Sequence, residues 1–248
     1  MASKLILGIP FSAVVFDCDG TLMDTEHHWI EARRVVLADR GITPGSDFSA
    51  RTKGMHYSEC GRLMAEMCGR PEKAAEVTER LLDEFRKLVV ADAVTVPGAV
   101  KFVELAAELA PLAVASNCPR DIVETCLESA GLLHHFSRVV VPEGRIRPKP
   151  HPDPYATAAR LCGADPGASL AVEDSMCGVH SALAAGLRVI GVGPEPPTGV
   201  EGMEKVEMWV ERLDDPALLA PPSGGAAVVP PRRAEDAPDT AGRPGLPS

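Results

Sequence analysis

Two carboxylates stand two residues apart, directly after a short apolar segment. The segment reads SAVVF and is followed by Asp17, Asp19 and Gly20. Residues two apart on an extended chain point to the same side, so both carboxylates are expected to face one site. One carboxylate, Asp17, can attack phosphorus as a nucleophile, while Asp19 protonates the leaving alcohol and later activates water. Gly20 allows close approach of the backbone to a phosphate and offers N–H donors.

Polar residues also end three later apolar segments. Ser116 and Asn117 end the segment PLAVAS-N, Lys149 lies in the basic, proline-rich loop after the next segment, and Glu173 and Asp174 end SLAVE-D. In open α/β sheets, the active site lies beyond the carboxyl ends of the strands. We therefore expect these side chains to converge with the first pair of carboxylates on one edge of a sheet.

The same residue types predict a metal ion. A phosphomonoester is a dianion that bare carboxylates would repel, whereas Mg²⁺ binds a few carboxylates together with phosphate oxygens. Asp17 and Asp174, with Glu173 close by, are expected to hold such an ion. The Ser116 hydroxyl and the Lys149 ammonium can then take up phosphoryl charge in the transition state. The predicted chemistry is Mg²⁺-assisted phosphoryl transfer.

The elements that must position these residues alternate between strands and helices. This alternation over residues 94–192 predicts parallel βαβ units, which is an α/β fold with a doubly wound, Rossmann-like parallel sheet. Residues 24–93 instead show helical spacing without strand signals, and we expect them to form an inserted α-helical cap over the sheet. Strands are expected at 12–16, 111–116, 138–141, 169–173 and 188–192, and cap helices at 26–39, 57–67 and from 71 to about 90.

These patterns divide the chain into three parts. Residues 1–23 and 94–219 are expected to form the catalytic core, and residues 24–93 the cap. Residues 220–248 are dense in Pro, Gly and Ala with few large apolar side chains, so they are expected to be a disordered tail. The apolar N-terminus is interrupted by Gly8 and Pro10 and runs directly into the first carboxylates, which favours a lead-in and a buried strand over a signal peptide.

Composition excludes some classes of partner. The net charge of −10 disfavours binding to a nucleic-acid backbone, but it leaves a small anionic substrate open because a bound metal ion reverses the local field. No run of about 18 apolar residues is present, so no membrane span is expected. The seven cysteines form no CxxC pair, which predicts free thiols in a reducing compartment and hence a cytoplasmic protein.

Taken together, these motifs resemble the haloacid dehalogenase-like superfamily of phosphotransferases. DCDGT resembles the first family motif, and Ser116-Asn117, Lys149 and Glu173-Asp174 resemble the other three. The insertion after the first motif matches the subgroup with a helical cap. The stretches FDCDGTLMDTE and KPHPDPY are similar to the branch of sugar-phosphate phosphatases and β-phosphoglucomutases, and the likeness extends over residues 12–192.

The resemblance implies a role for each matched residue. Asp17 would be the nucleophile and Asp19 the acid–base, with the Asp19 backbone carbonyl as a metal ligand. Ser116, Asn117 and Lys149 would hold the phosphate. The expected protein is a magnesium-dependent phosphatase for a small phosphorylated metabolite, a sugar or polyol phosphate, that acts through an aspartyl-phosphate as a monomer or weak homodimer. Dehalogenases of the family lack an equivalent of Asp19, which favours phosphoryl transfer here.

Two alternatives remain: a β-phosphoglucomutase-like mutase, and an inactive relative that binds a metabolite or a protein. The family's mutases carry a His shortly after the first motif, where this chain has Trp29, and an Arg soon after a Lys-Gly pair in the cap, where none follows Lys53-Gly54. Both departures favour hydrolysis over mutase activity. Other polar cap residues are left open between substrate contact and a solvated surface: His27, His28, Arg51, Lys53 and His56.

Overall fold

A six-stranded parallel sheet forms the centre of the computed structural model, which describes residues 10–45, 47–198 and 201–219. Its strand order is β3-β2-β1-β4-β5-β6, and every pairing is parallel. The expected Rossmann-like sheet is confirmed. The strands are β1 (Ala13–Phe16), β2 (Leu112–Ala115), β3 (Phe136–Val140), β4 (Ser169–Glu173), β5 (Arg188–Val192) and β6 (Met208–Val210).

Helices cover both faces of this sheet and also form an inserted helical segment between β1 and β2. The inserted helices are α1 (Glu26–Ala38), α2 (Phe48–Thr52), α3 (Tyr57–Met67) and α4 (Ala74–Ala91). The helices of the core are α5 (Ala99–Ala107), α6 (Arg120–Ser129), α7 (Asp153–Leu161) and α8 (Met176–Ala185). Short 3₁₀ turns occur at Pro71–Lys73, Leu133–His135, Pro166–Ala168, Met203–Lys205 and Pro216–Leu219.

Strands β1 and β2 consist only of apolar residues because both of their faces are covered. All four residues of β1 are fully buried. Phe16 packs edge-on against Phe102 of α5 and Phe136 of β3, with ring centres 5.9 Å apart in each pair. Val15 faces the opposite side and belongs to the cluster that contains Tyr155 of α7. Continuous apolar strands are typical of parallel sheets buried on both faces.

The inserted helices pack through spaced apolar side chains. Val77, Leu81, Phe85 and Val89 are the buried residues of α4, and this spacing of four places them on one stripe. Trp29 of α1 stacks on Phe85 with ring centres 3.7 Å apart. The stripe therefore forms a core for the inserted segment.

The chain enters and leaves the inserted segment at neighbouring points. The backbone N–H of Asp24 donates to the Val94 carbonyl at 2.8 Å, and Met23 forms a bridge with Thr95. The inserted helical cap is thus part of the observed fold. The boundaries predicted for cap and core stay predictions. The predicted tail at 220–248 and residues 1–9 of the lead-in lie outside the described residues.

Three local features differ from the expected elements. The helix α2 and the edge strand β6 were not predicted; they span only five and three residues, too few to show a clear period. Pro71 begins a separate 3₁₀ turn before α4 rather than the first turn of a long helix. Among the helices of the described ranges, none is both long enough and apolar enough to cross a membrane.

Candidate active site

The expected polar residues lie together at the carboxyl edge of the sheet. β1 lies between β2 and β4, so the residues that follow these three strands are neighbours. The backbone N–H of Asp17 donates to the Val172 carbonyl at 2.9 Å, and that of Ser116 to the Val140 carbonyl at 3.0 Å. These bonds continue the ladder by one residue and thereby fix the backbone at the start of the site.

A buried lysine joins two of the carboxylates. Lys149 Nζ lies 2.6 Å from Asp17 Oδ1 and 2.7 Å from Glu173 Oε1, and the Tyr155 hydroxyl donates to Glu173 Oε1 at 3.1 Å. Lys149 is 3% exposed, so this cation is strongly held by its partners. Burial by itself lowers the pKa of Lys149, but Asp17 and Glu173 raise it by more, and the group stays charged.

The nucleophile candidate sits in a crowded field of charge. Burial raises the pKa of Asp17, Lys149 acts to lower it, and the neighbouring Glu173 and Asp174 raise it further. The net direction is upward, well above the usual range of a carboxyl. A compensating cation beside Asp17 would therefore favour the ionised form that attack requires.

Asp19 is held in a different way from Asp17. Its Oδ1 accepts hydrogen bonds from Thr25 Oγ1 at 2.7 Å and Trp29 Nε1 at 3.3 Å, and Ser116 Oγ lies 3.5 Å from its Oδ2. Burial raises the pKa of Asp19, while these hydrogen bonds act to lower it. A carboxyl with a raised pKa is suited to carry a proton to a leaving group.

Three carboxylates form a cluster that fits Mg²⁺. Asp17, Glu173 and Asp174 are all buried, and each offers an oxygen within 4.8 Å of the others. Burial first, and then Glu173, raise the pKa of Asp174 to about 7. An all-carboxylate donor set is the kind that Mg²⁺ binds. Asp19 was also expected as a ligand through its backbone carbonyl, which stays a prediction; its side chain contacts Thr25 and Trp29.

Two glycines allow the backbone to approach this cluster: Gly20 in the loop after β1 and Gly178 in α8. Gly20 has φ +85°, and a β-carbon there would collide with the Asp174 carboxylate. A β-carbon at Gly178 would collide with Glu173 in the same way. Glu173 Oε2 accepts hydrogen bonds from the Ser175 N–H at 2.8 Å and the Ser175 hydroxyl at 3.0 Å. The cluster is therefore positioned by backbone that only glycine permits.

Asn117 connects the lysine loop to the cap. Its Oδ1 accepts from the Lys149 N–H at 2.9 Å, and its Nδ2 donates to the Lys149 carbonyl at 3.2 Å and the Gly54 carbonyl at 3.0 Å. Ser116 Oγ accepts from the Cys118 N–H at 3.0 Å. The structure thus places both residues at the rim, with Asn117 orienting Lys149; direct phosphate binding by either one stays a prediction.

The cap residues left open between substrate contact and a solvated surface have different neighbours in the structure. Lys53 Nζ lies 2.7 Å from Asp174 Oδ2, so this cap lysine reaches the acidic cluster. Arg51 instead pairs with Asp47 at the surface, and the His56 ring accepts from the Ser58 N–H at the start of α3. The rings of His27 and His28 contact each other at a tilt of 48° beside Asp92, near the point where the chain leaves α4.

A cavity lies between the sheet edge and the cap. Two residues that line it, Trp29 and Arg33, and the Asp19 partner Thr25 were not in the predicted set of site residues, because their roles depend on how α1 faces the sheet. The lining residues are Asp17, Asp19, Glu26, Trp29, Arg33, Gly54, Met55, Ser116, Asn117, Cys118, Lys149 and Ser175.

Comparison with known families gives this geometry a context. The model of the haloacid dehalogenase-like hydrolase family matches residues 14–192, which is most of the chain. The chain belongs to the haloacid dehalogenase-like hydrolases. The matched range begins inside β1 and ends with β5, so it includes Asp17, Ser116, Lys149 and Asp174.

Known members of this hydrolase family include named phosphatases. Hexitol phosphatase B of Escherichia coli is 32% identical over 191 residues, which cover 74% of this chain and 84% of that one. The fructose-1-phosphate phosphatase of Escherichia coli is 27% identical over 190 residues, covering 73% of this chain and 96% of that one. Among solved structures, β-phosphoglucomutase from Clostridium difficile has a TM-score of 0.71 at 19% identity, covering 82% and 92%, and this likeness shows the fold.

Proposed function

We propose that this hydrolase is a Mg²⁺-dependent phosphatase that acts on a small sugar or polyol phosphomonoester through a phosphorylated Asp17. The observation that carries the proposal is the pairing of two carboxylates with different surroundings on one rim. Asp17 lies against the Lys149 cation at 2.6 Å, and Asp19 lies against the neutral donors Thr25 and Trp29. Different environments for two carboxylates allow one to be the nucleophile and the other the acid.

In the first step, an Asp17 carboxylate oxygen attacks phosphorus. A bond forms between this oxygen and phosphorus, and the bond between phosphorus and the ester oxygen breaks. Asp19 gives its proton to the departing oxygen, so the product leaves as a neutral alcohol. The Lys149 ammonium, already buried beside Asp17, stabilises the negative charge on the phosphoryl oxygens.

In the second step, Asp19 acts as the base. It takes a proton from water, whose oxygen attacks the phosphorus, and the bond between phosphorus and Asp17 breaks to release inorganic phosphate. Asp17, Asp174 and the Asp19 carbonyl, with Glu173 beside them, are the groups that would hold Mg²⁺. The ion, when bound, supplies positive charge that reduces repulsion between the carboxylates and the phosphate dianion.

The substrate class follows from the relatives and the cap. The named relatives act on hexitol phosphates and fructose 1-phosphate, which are phosphorylated polyols or sugars. Residues 24–93, proposed as the cap, carry Gly54 to within hydrogen-bonding distance of Asn117, so the site is covered by the inserted helices. Closure of such a cover would exclude water during attack and admit it for hydrolysis.

The proposal also covers the compartment, the oligomeric state and the partners of the enzyme. The seven cysteines are free thiols, which supports a reducing, cytoplasmic compartment. We infer that the enzyme acts as a monomer or weak homodimer on a free small metabolite. The acidic chain, with a net charge of −10, supports neither DNA nor RNA as its partner.

A phosphate-release assay tests the proposal. Purified full-length protein is incubated with a panel of sugar and polyol monophosphates, with Mg²⁺ or with a chelator. We expect Mg²⁺-dependent release of inorganic phosphate from several of them. Isomerised sugar phosphate that appears only with an activating bisphosphate would identify a mutase instead, and absence of turnover across the whole panel would favour the inactive relative.

A further inference from the structure

One face of α1 forms a wall of the active-site cavity. Glu26, Trp29 and Arg33 all line this cavity, and their spacing of three and four residues places them on one side of the helix. The next residue, Arg34, lies on the outer surface of the same helix and pairs with Glu31 at 2.6 Å. The helix thus directs a specific set of side chains at the site.

Arg33 is buried in this wall with unused hydrogen-bonding capacity. Its side chain is 4% exposed. Nη2 donates to the Thr52 carbonyl at 3.3 Å, and the guanidinium lies 5.4 Å from the centre of the Trp29 ring. Nε and Nη1 are buried and have no hydrogen-bond partner among the described residues. Buried polar groups are ordinarily hydrogen-bonded, so these N–H groups indicate that oxygen atoms of a ligand bind here.

Glu26 supplies the opposite charge and an acceptor. Its Oε1 lies 3.5 Å from Arg33 Nη1, an ion pair longer than a good hydrogen bond, so a hydroxyl placed beside the pair can contact both groups. The pair is neutral overall. Adjacent hydroxyls can accept from the guanidinium and donate to the carboxylate at once, whereas a second phosphate or carboxylate would be repelled by Glu26.

The position of the pair indicates which part of a bound substrate would lie beside it. Trp29 connects the catalytic carboxylates to the α1 wall, because its indole N–H donates to Asp19 and its ring lies under Arg33. Asp19 is the proposed acid for the departing oxygen. The carbon skeleton attached to that oxygen would therefore extend along the α1 wall, towards Arg33 and Glu26.

We propose that Glu26 and Arg33 form a binding site for adjacent hydroxyls of the leaving group, and that this site selects uncharged polyol monophosphates over phosphates that carry a second anion. The inference rests on the proposed function, because it takes the leaving group to be the alcohol that Asp19 protonates. It assigns substrate selection to Glu26 and Arg33 of α1. These two residues pair with each other, and Arg33 also donates to the Thr52 carbonyl; neither contact involves the acidic cluster.

A selectivity ratio tests this site. The ratio compares kcat/KM for sorbitol phosphate with kcat/KM for p-nitrophenyl phosphate, whose leaving group has no adjacent hydroxyls. Arg33→Met and Glu26→Gln should each lower this ratio about tenfold or more, mainly through a higher KM for sorbitol phosphate, since Arg33→Met removes charged donors and Glu26→Gln replaces a charged acceptor with a neutral one. Arg33→Lys should retain part of the ratio, and the matched surface variant Arg34→Met should keep all of it.

The outcomes separate this inference from the proposed function. A wild-type protein that hydrolyses neither compound contradicts the phosphatase itself. Hydrolysis of p-nitrophenyl phosphate alone keeps the phosphatase and overturns the polyol site. Equal losses on both compounds in Arg33→Met and Glu26→Gln would show a structural role and overturn it too. If thermal unfolding shows that Arg33→Met is misfolded, the selectivity ratio of Glu26→Gln tests the proposal, because Glu26 is only half-buried.

A charged competitor gives an independent result. Phosphoglycolate carries a carboxylate in place of the hydroxyls, and the proposal expects the wild type to prefer sorbitol phosphate to it. A preference for phosphoglycolate that disappears in Arg33→Met would show that the guanidinium binds a second anion, and that result would overturn selection for uncharged polyols.

Discussion

At the scale of single residues, the site depends on one buried cation between two carboxylates. Lys149 contacts Asp17 and Glu173 at 2.6 and 2.7 Å, and all three are almost fully buried. Removing one partner of a buried ion pair leaves the other charges without compensation, which costs far more than the loss of a surface pair.

The variant Lys149→Met should therefore lose both turnover and stability. We expect the free energy of unfolding to fall by about 3–5 kcal/mol in Mg²⁺-free buffer, measured by urea denaturation. The matched control is Arg188→Met, which removes the partly exposed pair with Glu207 and should cost no more than about 1 kcal/mol. Equal stability of the two variants would contradict the role given to Lys149.

The sequence predicted some of the site's residues and missed others, for one physical reason. Asp17 and Asp174 directly follow a strand, and Lys149 lies in the loop after one. Parallel strands bring such residues together whatever the details of packing. Trp29 and Arg33 lie within a helix whose rotation relative to the sheet is set by tertiary contacts such as the stacking of Trp29 on Phe85. That rotation cannot be read from helical spacing alone.

At the scale of elements, the contact between the cap and the core depends on a glycine. Gly54 precedes α3, has φ +70°, and a β-carbon there would lie 2.7 Å from Ser175 Oγ. Its carbonyl also accepts from Asn117. A side chain at this position should hold the inserted helices away from the sheet edge.

We expect Gly54→Ala to lower kcat/KM about tenfold or more, because closure over the site is impeded. Gly41→Ala is a matched control: Gly41 has φ +72°, and a β-carbon there would meet no atom of the described residues within 4 Å. Both variants should lose about 1–2 kcal/mol of stability from the left-handed backbone. Steady-state kinetics measures kcat/KM for both variants. An equal fall in the two would contradict the role given to the contact between Gly54 and the core.

The start of α3 gives a pH-dependent prediction. His56 accepts a hydrogen bond from the Ser58 N–H, and burial lowers the pKa of His56 below its ordinary value of 6.5. The unfolded chain then binds a proton more readily than the folded chain, so stability falls as pH decreases through that ordinary value. Protonation of the ring would also remove the acceptor that caps the helix.

The variant His56→Asn keeps a neutral acceptor at the same cap. Its melting temperature should therefore fall less than that of the wild type when the pH is lowered from about 7.5 to about 5.5. Differential scanning calorimetry at both pH values makes the comparison. Parallel decreases in the two proteins would show that His56 does not contribute to acid sensitivity.

At the scale of the whole molecule, alternation of strands and helices was sufficient to predict the fold class. Strands β4 and β5 begin and end where the sequence places them, because Ser169 and Glu173 bound the apolar run of β4, and Arg188 and Gly193 bound that of β5. β6 was missed, since three residues at the sheet edge carry no measurable period. The order of the six strands follows from pairing across the sheet, which a single sequence does not specify.

The arrangement of sheet, cap and cavity is consistent with Asp17 as the residue that carries the phosphoryl group. The family match covers residues 14–192 and places the chain among hydrolases, but it does not show which oxygen attacks phosphorus. Asp17 is surrounded by Lys149, Glu173 and Asp174, and Asp19 has its own separate set of donors. Trapping the intermediate tests this assignment directly.

The decisive measurement is intact-mass spectrometry of Asp19→Asn after brief incubation with Mg²⁺ and a hydrolysed substrate, followed by peptide mapping. Without its base, the second step should slow more than the first, and the protein should gain the mass of one phosphoryl group on Asp17. The double variant with Asp17→Asn should gain none. An adduct on another residue, or full phosphatase activity in Asp17→Asn alone, would contradict the account.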